Sequence, residues 1–397
     1  MRCRSLLLAA FGALISSAAI TRAGTPISPA PAVSADAAEP KKASWFKDPE
    51  DGYLDVSGFL DAPFGFIPVP LPITEPAVGF GGALAAVFIN QDKGNRRPDL
   101  YGVGAMRTSN GSDGFFAGHS GYYLDNRLQL LAAVIKTSVN LDFHGLGRDP
   151  VLDREPLRYN LDITGGGLGT NWQLGESDWH LGVGYGYAEV SSSFVRDEAR
   201  QRFLAREPGT PLAPKTTVSG LRLAIGHDSR DNIFTPTKGW FTELSFGASA
   251  EAIGSSDNFQ IVDWVNMWYH PIVPEKLFFG IYSDVRQGFN DVPFFLRPAI
   301  GMRGVPLQRY QGDGMACAEG ELRWQFLKRW SLVGFAGIGH TWTGNDPFGH
   351  GETIVSGGGG IRYLIARRYG LHMGIDAAWS KEDSAIYIQF GSAWARP

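Results

Sequence analysis

The closing stretch SAIYIQFGSAW, Ser384 to Trp394, changes character at every step. In an extended chain Ile386, Ile388, Phe390 and Trp394 share one face, while Tyr387, Gln389, Gly391 and Ala393 share the other. Successive side chains of a strand point to opposite sides, so this is a strand with one apolar face and one polar or small face. The same split recurs upstream. YGLHMGIDAAWS sets Leu371, Met373, Ile375 and Trp379 against His372, Gly374, Asp376 and Ser380. AEGELRWQF sets Leu322, Trp324 and Phe326 against Glu319, Glu321, Arg323 and Gln325, and LFFGIYSDVRQ sets Phe279, Ile281 and Val285 against Tyr282, Asp284 and Arg286.

A soluble sandwich and a membrane barrel both alternate in this way. Three features favour the barrel: the segments are long, their apolar faces end in Trp or Tyr, and their other faces mix opposite charges with glycine. Segments of this kind begin near Phe64, Ala77, Asp99, Gly114, Leu128, Tyr159, His180, Val218, Trp240, Phe259, Leu277, Ala318, Leu332, Ile354, Leu371 and Ala385. The fold expected is all-β, a transmembrane antiparallel β-barrel of about 16 strands, closed because a bilayer tolerates no unpaired sheet edge.

Composition agrees. With 51 Gly, 25 Phe, 13 Tyr and 11 Trp among 397 residues and only 19% charged, the chain is too apolar for disorder. A formal net charge of -4 and the lack of a basic stripe exclude nucleic acid as a partner. Arg2 and Arg4, the apolar run Leu6 to Ile20 and Thr21-Arg22-Ala23 read as a signal peptide over residues 1–23, cleaved on export, with an uncleaved anchor as the alternative. Residues 24–49 read as a Pro/Ala-rich periplasmic linker and residues 50–397 as the barrel. Removal of Cys3 would leave Cys317 alone, so no disulfide framework is expected.

HDSRDNIFTPTKGWF, His227 to Phe241, places Asp228, Asp231, Pro236 and Gly239 ahead of an aromatic strand start. The residues themselves indicate a tight turn, with Pro236 fixing φ and Gly239 supplying an unusual backbone conformation. The segment also resembles a strand-joining periplasmic turn in barrels of the BamA/TamA superfamily, the bacterial surface antigen family. Met302-Arg303-Gly304-Val305, within a glycine- and proline-rich connection, is similar to that family's Val-Arg-Gly-aromatic loop tip. The resemblance implies a long extracellular loop folded back into the lumen, with Arg303 and Gly304 at its anchor and Glu321, on the next strand, as the carboxylate partner. Two positions depart from the pattern: Val305 replaces the tip aromatic, and Gly337 replaces the aspartate of the family's Phe-x-Asp-x-Gly motif at Phe335 to Gly339. GGGGIRY and the last two strands extend the likeness, with Tyr387, Phe390 and Trp394 as the terminal-strand signal ahead of Ala395-Arg396-Pro397. Residues 24–49 are too short for a periplasmic repeat, so the resemblance is to a barrel-only member.

No enzyme is expected. GHSG, Gly118 to Gly121, lacks the G-x-S-x-G spacing, and the histidines, such as His119, His144, His180 and His340, show no ligand spacing. Neither a metal nor a cofactor is implied. The resemblance implies an outer-membrane barrel that assists insertion or translocation of outer-membrane proteins through its lateral seam, with the lipid bilayer and unfolded outer-membrane protein clients as partners. The alternative is a structural barrel or diffusion pore with a loop plug pinned by Arg303.

Overall fold

The computed structural model describes residues 46–60, 67–90, 99–144, 156–194, 201, 215–347, 349–381 and 383–394. The expected signal peptide and nearly all of the expected linker lie outside these residues.

Sixteen strands form one sheet in strict sequence order, every neighbouring pair antiparallel. They are β1 (Ile67–Ile73), β2 (Gly81–Asn90), β3 (Asp99–Thr108), β4 (Asp113–Tyr123), β5 (Leu128–Phe143), β6 (Leu157–Gln173), β7 (Trp179–Phe194) and β8 (Lys215–Asp228). Then come β9 (Gly239–Ser249), β10 (Phe259–Val273), β11 (Leu277–Asn290), β12 (Gly314–Gln325), β13 (Trp330–Trp342), β14 (Thr353–Ala366), β15 (Leu371–Ser380) and β16 (Ser384–Phe390). The sheet curls into a nearly closed barrel: β1 and β16 come together, but no ladder joins them among the described residues.

The alternation read from sequence sorts as expected. Ile375, Trp379, Leu322, Trp324, Ile281 and Ile386 stand exposed on the outer wall, whereas Asp376, Glu319, Asp284, Tyr282 and Tyr387 are buried inside. Trp172, Trp179, Trp240, Trp268, Trp324 and Trp330 are exposed near the ends of even strands or the starts of odd ones, so they ring one end of the barrel. Such a girdle fits the membrane interface, where an indole meets both lipid and water. Gly357 to Gly360 lie within β14. There, a side chain on Gly358 would collide with the Ala377 carbonyl, and one on Gly360 with the Asp376 carboxylate.

The end with the tryptophans carries the turns that follow even strands; the other carries the loops that follow odd strands. At the turn end, residues 46–60 dock on the rim through Arg329 and Arg367. The lumen is not open space. Towards the loop end, Val139, Leu141, Phe143, Leu157, Tyr159 and Leu161 make an inward apolar patch against which Phe294, Phe295 and Leu296 pack.

Candidate functional site

The connection from β11 to β12, residues 291–313, accounts for that filling. It is buried over nearly its whole length and turns back on itself, with Ile300 N–H donating to Tyr310 O at 3.0 Å and Gly312 N–H to Pro298 O at 3.0 Å. Its first part seats Phe294 edge-on to Phe143 and Tyr159, at centroid distances of 5.9 and 5.2 Å. Its tip carries Arg303, which is fully buried.

Three carboxylates meet that guanidinium. Glu319 on β12 accepts from Arg303 Nε and from its backbone N–H, both at 3.0 Å. Asp376 on β15 accepts from Nη1 at 2.9 Å. Glu321 lies 2.7 Å from Nη1 as an ion pair that is out of hydrogen-bond alignment. The Phe335 ring lies 3.5 Å beneath the guanidinium carbon. Arg362 on β14 also binds Asp376, through Nη2 to Oδ2 at 2.7 Å and through Nη1 to Oδ1. A cation withdrawn from water needs partners of this quality, because the desolvation cost otherwise exceeds the Coulomb gain.

The geometry joins Arg303 to Glu321 and adds Glu319 and Asp376, which sequence reasoning did not assign to it. The missing motif aspartate has a physical counterpart. A Cβ on Gly337 would stand 2.9 Å from Ala318 O and 3.0 Å from Met302 Sδ, so no side chain fits there. The acid reaches the arginine from β15 instead. Gly304 has φ +82°, a region disfavoured for residues with a Cβ, and a Cβ there would press on the Trp379 backbone at 3.1 Å. Its N–H donates to Tyr387 Oη at 3.1 Å, and Leu307 N–H donates to Glu75 Oε1 at 3.1 Å. The loop is thus bonded to β12, β15, β16 and the β1–β2 connection at once.

The terminal strand corrects one expectation. Tyr387 faces inward, but Trp394 does not share the outer face of Ile386. The strand ends at Phe390, Gly391 turns at φ +75°, and Trp394 folds into the lumen, 5% exposed. There it stacks on Tyr282 at 5.9 Å and donates Nε1–H to Glu319 Oε1 at 2.6 Å, the oxygen that also receives Arg303. Gly280 makes room, since a Cβ there would lie 2.8 Å from the indole. A buried indole N–H needs an acceptor, and Glu319 supplies it.

The β8–β9 turn is more than a tight turn. Asp231 accepts from Thr237 N–H at 2.9 Å, and Asp228 is bonded to Arg230 Nε and Nη2 at 2.9 Å each. Asn232 caps Phe234 N–H at 2.7 Å and donates to Tyr369 O at 2.9 Å. Ser392 N–H reaches Phe234 O, and Arg323 reaches Pro236 O at 3.5 Å. Gly239, at φ +104°, packs against Ser229 O. The turn therefore spans the mouth of the barrel from β8 to the end of β16.

On the rim, Arg329 in the β12–β13 turn gathers Asp48, Asp51 and Asp55, each at 2.7 Å. Arg367 binds Asp48 at 2.5 Å and Glu50 at 2.7 Å. The Arg367 hydrogen bond, against some burial, holds Asp48 down at about 2, and the bond from Arg329 lowers Asp51. Among the described residues no group of His, Cys, Asp and Glu is arranged to hold a metal. Ser120 lies within β4 and accepts from Gln129 Nε2 at 3.0 Å.

A sixteen-stranded antiparallel barrel with a loop seated in its lumen is the architecture of an outer-membrane β-barrel protein. The Omp85 superfamily domain matches residues 135–379, and the chain belongs to that superfamily. The fold resembles that of BamA from Haemophilus ducreyi lacking POTRA domains 1–3 (TM-score 0.56, 15% identity, 82% of this chain and 68% of that one). It also resembles CdiB from Escherichia coli (TM-score 0.58, 11% identity, 81% of this chain, 61% of that one). CdiB from Acinetobacter baumannii is similar too (TM-score 0.57, 10% identity, 82% of this chain, 59% of that one). The matches thus take in less than two thirds of either CdiB chain. No curated protein matches by sequence.

Proposed function

We propose that this chain assists the insertion or translocation of outer-membrane proteins, acting at the seam between β1 and β16. The observation that carries this reading is the seam itself: fifteen antiparallel pairings join the sixteen strands into a continuous sheet, yet among the described residues β1 and β16 share no ladder. In hydrocarbon an unladdered pair is the weakest line in a barrel, because water cannot satisfy its backbone groups. Membership of the Omp85 superfamily supports the same reading. No catalytic residue is required. The clients are unfolded outer-membrane proteins and the medium is the outer-membrane bilayer. Residues 1–23 are a signal peptide removed on export, residues 24–49 a periplasmic linker and residues 50–397 the barrel. The turn end is then periplasmic, and Arg303, Gly304 and Glu321 anchor a loop that enters from outside. A diffusion pore draws no support from the comparisons.

The test is reconstitution of the mature chain in liposomes with a denatured eight-stranded barrel as client, its folding followed by gel mobility before heating. Folding faster than in empty liposomes is expected; equal rates overturn the proposal.

A further inference from the structure

On the outer wall, β1 to β7 share a shallow groove of about 920 Å³. Its floor is made of small outward-facing residues, Ala86 on β2, Ala105 on β3, Ala117 on β4 and Gly166 on β6. Leu84, Phe115, Val134 and Tyr187 rise beside that floor and are all exposed. The register makes these positions one continuous feature. Pro68 faces Ala86, Ala86 faces Val103, Val103 faces Ala117, and the row goes on through Val134 and Gly166 to Tyr187. The groove thus runs across the strands, and its strand-to-strand steps of about 4.8 Å make it about 29 Å long.

A second row, one outward residue nearer the loop end, decides what fills the groove. It reads Leu84, Ala105, Phe115, Lys136, Thr164 and Glu189, apolar on β2 to β4 and polar on β5 to β7. Barrel strands tilt by about 35–45°, so a row that crosses them changes height in the membrane. The outward residues beyond the row give the direction. Phe80, just before β2, is still apolar and exposed, whereas Asp162, Asn160 and Arg158 follow on β6 and Ser191 and Ser193 on β7. The groove therefore starts inside the apolar band and ends at its polar margin. At that margin Lys136 is exposed and makes no ion pair among the described residues, while Glu189 is already paired with Lys215 at 2.8 Å. A lysine on the lipid face is tolerated at the interface and costly at the midplane, which agrees with this placement.

We propose that the groove binds a phosphorylated, acylated glycolipid of the outer leaflet. An acyl chain lies along the Ala86, Ala105, Ala117 and Gly166 floor, where no side chain would obstruct it, and buries apolar surface against Phe115 and Val134. The headgroup rests at the other end, with a phosphate on the Lys136 ammonium and sugar hydroxyls against Thr164 and Glu189. The leaflet follows from the orientation proposed above, in which the loop end faces outside. Insertion of clients is not required.

The test uses the full mature chain, folded in detergent micelles, with bound lipid counted by native mass spectrometry. The probes are bisphosphorylated lipid A, the same lipid with both phosphates removed, and phosphatidylglycerol. Bisphosphorylated lipid A should bind one per chain and more tightly than either of the others. Reversing one charge beside the headgroup, Lys136→Glu, should weaken it about tenfold. Ala117→Phe, which obstructs the floor and leaves every charge in place, should also weaken it, whereas Lys276→Glu in the β10–β11 turn should not. Folding of each variant is checked by its gel mobility before heating, and the comparison of the three lipids on the parent chain needs no variant. Equal affinity with and without the phosphates, equal or tighter binding of phosphatidylglycerol, or the same loss from Lys276→Glu as from Lys136→Glu would each overturn the proposal. Undiminished binding in Ala117→Phe would overturn the groove as the seat of the acyl chain. Client folding in liposomes is read separately, so its failure would remove the insertion function and leave this site standing.

Discussion

At the scale of single residues, Arg303 is the position where three interior carboxylates converge on one guanidinium. Removing it leaves Glu319, Glu321 and Asp376 facing one another in a buried site, with Arg362 compensating only Asp376. Loss of one member of a buried pair costs about 3–5 kcal/mol. Arg303→Ala should therefore lower the temperature of the heat-induced mobility shift by many degrees, and Arg303→Lys should recover only part, since one ammonium cannot reproduce the forked contacts. A variant that melts with the parent would show that the seat is not held by charge. Trp394→Phe removes one hydrogen bond to a charged acceptor, worth about 1.5–3 kcal/mol, and should destabilise less than Arg303→Ala in the same assay. Arg303 and Glu321 were legible because the loop tip and the following strand are close in sequence. Asp376 was read on the correct face but not paired, since it lies 73 residues from Arg303 and only barrel closure brings them together.

At the scale of elements, strand after strand was legible from alternation, with the starts at Asp99, Leu128, Phe259, Leu277 and Leu371 matching the observed ones. The end of β16 was not. The alternation of apolar and small residues continues to Trp394, and nothing local reports that Gly391 takes a positive φ or that Glu319 waits inside as an acceptor. The docking of residues 46–60 was equally hidden, because Asp48, Asp51 and Asp55 gain their meaning only from Arg329, 274 to 281 residues away. The clasp yields a pH prediction. Asp48 is depressed in the folded state, from 3.8 to about 2, so its contribution is present above pH 4 and is lost as pH falls towards 2. Exchange protection of the Val56 amide, which donates to Ile365 O at 2.8 Å, should persist at pH 4 and fail near pH 2. Arg329→Met should expose residues 46–60 to protease at neutral pH while the barrel keeps its folded mobility. Resistance to cleavage in that variant would assign the docking to backbone and apolar contacts instead.

At the scale of the whole molecule, the lumen is occupied from both ends. Phe294, Phe295 and Leu296 fill the loop end against Phe143 and Tyr159, and Trp394 with the β8–β9 turn crosses the turn end. The two fillings meet at Glu319, which binds both Arg303 and Trp394, so each supports the other. The wall, by contrast, has no ladder among the described residues where β1 meets β16. The lateral passage proposed for this molecule requires that its middle stay closed, and planar-bilayer recordings can decide that. The parent chain should show little ion conductance. Deleting residues 292–312 should open stable channels, and replacing Trp394 alone should open fewer, because the loop still spans the lumen. Large channels in the parent would mean that the loop leaves its seat in the membrane, and the argument for lateral passage would lose its basis.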